Sequence, residues 1–147
     1  MTTIALDKTH IAWDSQIIVG SEKAAWDGDK VWLVGSTVYG FAGDFAMLDE
    51  IINWHAKGAR VDRAPKEGEW DLLVANAKGI RFYSNEVKYA TKIVAPFAFG
   101  SGAHFARGAM LAGASAYQAV QIACKCDVFS GGEIGVLKLD DVFKGRG

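Results

Sequence analysis

Between Lys30 and Ser84 the hydrophobic period of this 147-residue chain changes twice, and that change restricts the fold more than any other feature. "KVWLV" (30–34) and "TVYGFA" (37–42) read as strands, separated only by Gly35 and Ser36, which marks a hairpin. From Asp44 onward the apolar stripe falls at Phe45, Leu48, Ile51, Ile52 and His55, a helical spacing with Asp44 as N-cap. Lys57 and Gly58 supply its stop signal. The mixed-charge loop "RVDRAPKEGEWD" then leads back to strands, "WDLLVAN" (70–76) and "GIRFYS" (79–84), across an Ala-Lys-Gly turn.

The flanking segments extend this pattern. Residues 2–8 and 11–19 read as strands around a turn near Thr9, and "IVAPFAF" (93–99) as a further strand. The glycine-rich 100–102 opens an alanine-rich helix over 103–113. Ser115 caps a second helix whose apolar face holds Ala116, Ala119, Val120 and Ala123, and "SGGEIGVLKL" (130–139) closes as a strand. Strands, helix, strands, helix pair, strand is an α+β order with antiparallel sheets and helices on outer faces, in one domain over 1–147. Half the residues are hydrophobic and the net charge is −1 without like-charge blocks, which argues against nucleic acid and membrane as partners. No apolar run approaches membrane-spanning length, so a cytoplasmic location is expected. Cys124 and Cys126, two apart on a helix, point to different sides and are expected as buried free thiols. His10, His55 and His104 have no metal-site spacing.

The N-terminus raises a chemical question. Once Met1 is removed, Thr2 carries a free amine, with an ordinary pKa near 7.7–8.0, beside its own hydroxyl, so one residue holds nucleophile and base. A nearby lysine would favour the neutral amine, and an aspartate would hold that lysine. Asp14 and Lys30 are the candidates, though each also reads as ordinary turn or strand-flanking chemistry. Residues 40–43, at a strand-to-helix junction, could aim a backbone N–H at an oxyanion, or form a tight turn only. Ile17, Ile18 and Val19 could form an edge that pairs with an extended peptide, or a core strand.

"MTTIALDKTHIAWDSQ" resembles the start of HslV, the peptidase subunit of the bacterial ATP-dependent threonine protease, and of proteasome β subunits. The similarity continues in "DKVWLVGSTVYGFAGD", in "FGSG" before a helix, and in "CDVFSGGEIGV", which is similar to the proteasomal Asp-x-x-Ser-Gly-Gly segment. The resemblance implies an N-terminal nucleophile (Ntn) hydrolase αββα sandwich that cleaves peptide bonds through an acyl ester on Thr2. It assigns Lys30 to tuning the Thr2 pair, Asp14 to orienting Lys30, and the Gly43 N–H to the oxyanion. Ser101, Asp127 and Ser130 would support the amine through hydrogen bonds, and Phe41 would help shape the substrate side-chain pocket. The resemblance also implies a homo-oligomer, a peptide or unfolded-protein substrate and an AAA+ unfoldase partner. No cofactor is required by this chemistry, and the 127–130 loop is a place where carbonyls could hold a monovalent or divalent cation.

The chain departs from that pattern in three places. It offers one helix, 44–58, where the family has a pair, so one member is shortened or missing. Asp44 follows Gly43, where a carboxylate would oppose an oxyanion unless it caps the helix. Met1 must leave before Thr2 has an amine. A catalytically silent sandwich serving as a binding or assembly module is the alternative function, and a small-amide hydrolase without a chamber is a third.

Overall fold

The computed structural model describes residues 2–19, 22–86 and 91–143. Its strands are β1 (Thr3–Leu6), β2 (His10–Trp13), β3 (Gln16–Val19), β4 (Glu22–Asp27), β5 (Val31–Val34), β6 (Thr37–Gly43), β7 (Trp70–Asn76), β8 (Gly79–Ser84), β9 (Thr91–Ile93), β10 (Phe97–Gly100) and β11 (Gly135–Lys138). The helices are α1 (Leu48–Ala56), α2 (Ala103–Leu111), α3 (Ala116–Cys126) and the single turn α4 (Asp140–Phe143). A four-stranded sheet of order β10-β1-β2-β11 faces a five-stranded sheet of order β5-β6-β7-β8-β9, and β3-β4 forms a two-stranded ribbon, all antiparallel.

Strand parity builds the layers. On β1, β2 and β10 one face carries Ala5, Ala12 and Ala98, which pack against Ala106, Ala116, Ala119 and Ala123 of α2 and α3. An alanine layer on both sides lets these helices lie close to the sheet. The opposite face carries Ile4, Leu6, Ile11 and Phe99, which meet Val38, Leu73 and Ala75 of the second sheet in the inter-sheet core. The outer face of that second sheet presents Tyr39, Phe41, Trp70, Leu72, Val74 and Tyr83 to Ile51 and Trp54 of α1. There Trp54 meets Trp70 and Tyr83 edge-on, with ring centroids 5.7 and 5.4 Å apart, contacts worth about 0.5–1.5 kcal/mol each beyond area burial. The α+β sandwich expected from the sequence is therefore present, two helices on one side and α1 on the other.

Local signals explain most boundaries. Asp44 accepts the Ala46 N–H at 2.9 Å and caps a 3-10 turn at Phe45–Met47 that runs into α1. Ser115 and Gln118 form a reciprocal capping box at the start of α3. Asp7 accepts the N–H groups of Thr9 and His10 in the β1–β2 turn and that of Ala116, tying the hairpin to α3. Only a 3-10 turn at Val61–Arg63 lies between α1 and β7, in agreement with the missing second helix.

Several expectations need correction. The strand read over 11–19 is two, because Ser15 and Gln16 both turn their N–H groups to Gly131 O and the chain leaves the four-stranded sheet. The strand read over 93–99 is also two. Pro96 has no N–H to give a ladder, and here the chain passes from β9 in one sheet to β10 in the other. The strand read over 130–139 shrinks to Gly135–Lys138, while β4 and α4 carry no clear period and were not expected. Cys124 and Cys126 are free, but only Cys124 is sheltered and Cys126 is exposed.

Candidate active site

Thr2 is held at the entrance to β1 by its own carbonyl. The Gly102 N–H donates to Thr2 O at 3.3 Å, and Gly100, at φ +97°, lets the chain pass where a Cβ would strike that oxygen. The same clasp brings Ser101 to the Thr2 nitrogen, which donates to Ser101 Oγ at 3.2 Å. Ser101 in turn donates to Asp127 Oδ2 at 2.6 Å, and Ser130 donates to the same oxygen at 2.6 Å. The Phe129 N–H fills Asp127 Oδ1 at 3.1 Å. Burial pushes the Asp127 carboxyl up, but the donors from Ser101, Ser130 and Phe129 outweigh it and leave its pKa below the ordinary value. They do so at the C-cap of α3, where the helix dipole opposes a negative charge.

Asp14 and Lys30 form a second, fully buried unit. Lys30 Nζ lies 2.9 Å from Asp14 Oδ1, and both side chains are 0% exposed. The same carboxylate accepts the Thr3 N–H at 2.8 Å and the Gly131 N–H at 3.1 Å, so three donors from three parts of the chain converge on it. Burial lowers the Lys30 pKa, with the Asp14 charge and hydrogen bond opposing that shift. The two units meet at Thr3, whose Oγ1 lies 2.7 Å from Ser130 Oγ.

A cavity of about 700 Å³ opens beside them. Thr2, Gly100 and Ser101 line one side, Ala42, Gly43 and Asp71 the other, and Ile18 and Phe129 also contribute. Gly43 sits at φ +130° against Glu69 O and Trp70, where no side chain fits. Asp44, Glu69 and Glu86 join Asp71 on the cavity wall, and no lysine or arginine is among the described lining residues. At Ile18, β3 pairs with β4 on one edge only among the described residues.

Thr2, Ser101, Asp127 and Ser130 are thus hydrogen-bonded together, Asp14 and Lys30 are paired, and Gly43 and Ile18 share the cavity with Thr2. Phe41 is placed elsewhere. Its ring is fully buried on the α1 side, 5.6 Å from that of Phe45, and does not line the cavity, because on β6 it has the parity of Tyr39 and not of Ala42. The Asp44 carboxylate serves the Ala46 cap, as its helical role requires. Thr3, Gly131 and Asp71 were missed by sequence reasoning. Alternation along β1 could have turned Thr3 inward, whereas the other two are found only through long-range contacts. No group of three or more His, Cys, Asp or Glu side chains able to hold a metal occurs among the described residues.

No family model matches the sequence, and no curated protein matches it significantly. Solved structures do. Eukaryotic HslV from Trypanosoma brucei superposes with a TM-score of 0.73 at 24% identity, covering 93% of this chain and 97% of that one. The chain has the HslV/proteasome β-type fold. BPH from Thiobacillus denitrificans is similar too, with TM-scores of 0.68 in complex with epoxomicin and 0.66 alone, at 19% and 20% identity, over 95% of this chain and 98% of that one in each case. In HslV-like terms the sandwich is a shortened one, with α1 alone where the sequence lacked a second helix.

Proposed function

We propose that this chain is a threonine peptidase of the N-terminal nucleophile type, acting through Thr2 after loss of Met1. The observation that carries the reading is the hydrogen bond from the Thr2 nitrogen to Ser101, whose own proton is committed to Asp127. A hydroxyl so committed can only accept from the amine, which leaves the amine lone pair for the Thr2 hydroxyl proton. The amine takes that proton directly or through a water, and Oγ1 attacks the scissile carbonyl carbon. The Gly43 N–H donates to the oxyanion, and the Lys30 ammonium, held by Asp14, stabilises the negative charge that develops. Collapse of the tetrahedral adduct expels the leaving amine, which carries away the proton held by the Thr2 nitrogen. A water, deprotonated by the same amine, then attacks the ester, and the amine returns that proton to Thr2 Oγ1 as the acid leaves.

The free edge of β3 near Ile18 supports an extended peptide added as a strand beside the cavity. A peptide or unfolded protein in the cytoplasm is the corresponding substrate, and assembly with copies of itself and service by an AAA+ unfoldase accompany it in the same reading. A cation at the 127–130 loop is not part of the mechanism. A cation held by carbonyls of that loop would be additional to the Asp127 carboxylate, which already accepts three donors.

Intact-mass spectrometry of untagged protein, before and after incubation with epoxomicin, tests this function. The expected result is a chain lacking Met1 that gains one inhibitor, and a Thr2→Ala variant that gains none. Retention of Met1 in every preparation, or equal labelling of Thr2→Ala, overturns it in favour of a silent binding or assembly module.

A further inference from the structure

Resting on that reading, we propose that Thr3 is a positioning residue whose side-chain hydroxyl sets the proton affinity of the Thr2 amine through Ser130 and Asp127. Ser130 has one hydroxyl proton, and it points to Asp127 Oδ2 at 2.6 Å, an oxygen that can only accept while the carboxylate is ionised. At 2.7 Å from Ser130 Oγ, Thr3 Oγ1 must therefore be the donor. Ser101 has one proton as well, which takes the short, charge-assisted bond to Asp127 Oδ2 at 2.6 Å over Thr2 O at 3.3 Å, so it accepts from Thr2 N. The direction of every bond is thereby determined: Thr3 hydroxyl to Ser130, Ser130 to Asp127, and from the other side Thr2 nitrogen to Ser101, Ser101 to Asp127. The two arms share a single carboxylate oxygen.

Arms that share an acceptor compete for its electron density. A donor at Thr3 polarises the Ser130 hydroxyl and strengthens its bond to Asp127, as linked hydrogen bonds do. Less negative charge is then left to act through Ser101 on the amine, and the neutral, basic form is favoured. Thr3 is suited to this role by its confinement. It is fully buried, its N–H is held by Asp14, and a side chain at Gly102 would overlap its Oγ1, so the hydroxyl has one place to be. The strand itself does not require a hydroxyl there. Valine has the same shape and suits a strand equally well.

The test uses 15N-labelled protein produced with Thr2 as its first residue by cleavage of an N-terminal fusion, and follows the Thr2 amine by NMR through a pH titration. In Thr3→Val the amine pKa is expected to rise by about half a unit, roughly threefold in proton affinity, and Thr3→Ser is expected to return it to the wild-type value. In a Ser130→Ala background, Thr3→Val should add nothing, since the path is cut. Thr3→Ala serves in place of Thr3→Val if the valine chain does not fold. An amine pKa unchanged by loss of the Thr3 hydroxyl, or a shift that persists without Ser130, overturns the proposal. Epoxomicin labelling of the same samples separates the two readings. An unlabelled wild type with a Thr3-sensitive amine overturns the peptidase and leaves the coupling standing, while a labelled wild type with an insensitive amine overturns the coupling alone.

Discussion

Asp71 lies on the cavity side of β7, abreast of Ala42 on β6 and Ser84 on β8, with Glu69 and Glu86 among its neighbours on the wall. Burial first, and then the charges of Glu69 and Glu86, push its pKa up to about 6. A carboxyl whose folded pKa exceeds its unfolded value of 3.8 is penalised where it is charged in both states, above about pH 6. That penalty fades as the pH falls from about 6 to about 4, so acidification over this window stabilises the fold through this group. Asp71→Asn should therefore raise stability at pH 7.5 by on the order of 1 kcal/mol, after allowance for solvent screening at a partly exposed site, or about 2–4 °C in Tm. The gain should vanish at pH 4, as thermal unfolding at the two pH values would show; an equal gain at both would mean that charge is not the cause. Individual residues were legible to different degrees. Asp14 and Lys30 could be named because a neutral amine calls for a nearby lysine and that lysine for a carboxylate, whereas Ser101, Asp127 and Ser130 were reached only through the resemblance to HslV and proteasome β subunits. The placement of Phe41 could not be read from its apolar character, since on a strand one step of register decides which face a side chain takes.

The alanine layer between the four-stranded sheet and α2–α3 shows what elements add to that account. Ala119 is fully buried there, and α3 carries Asp127 at its C-cap. Ala119→Leu would force three more heavy atoms against the sheet, at a cost of about 1–3 kcal/mol, and tilt the helix that holds the carboxylate. Chemical denaturation should report that loss; a variant as stable as the parent would mean that the layer has slack. Elements with a strong period were legible from sequence, as β5–β6, β7–β8 and the capped α3 attest. Those whose limits depend on a partner were not. Pro96 hands the chain from one sheet to another, Gly131 gives its amide and carbonyl to residues more than a hundred positions away, and neither event leaves a local pattern.

At the scale of the whole molecule, one helix covers the outer face of the five-stranded sheet, while α2 and α3 leave large apolar side chains outside, among them Leu111 at 68% exposure. Under the proposed function these faces belong to an assembly, and sedimentation of untagged protein should give a multimer; a monomer at micromolar concentration would remove the chamber and favour a hydrolase of small amides. Thr2 meets Ser101 across 99 positions, Asp14 meets Gly131 across 117, and Thr3 meets Ser130 across 127. Contacts of such separation come late, because the chain must close its longest loops before they are rewarded. Under the proposed chemistry the cutting edge is therefore assembled after nearly everything else, and a chain still emerging from the ribosome has no blade with which to damage itself or its sisters.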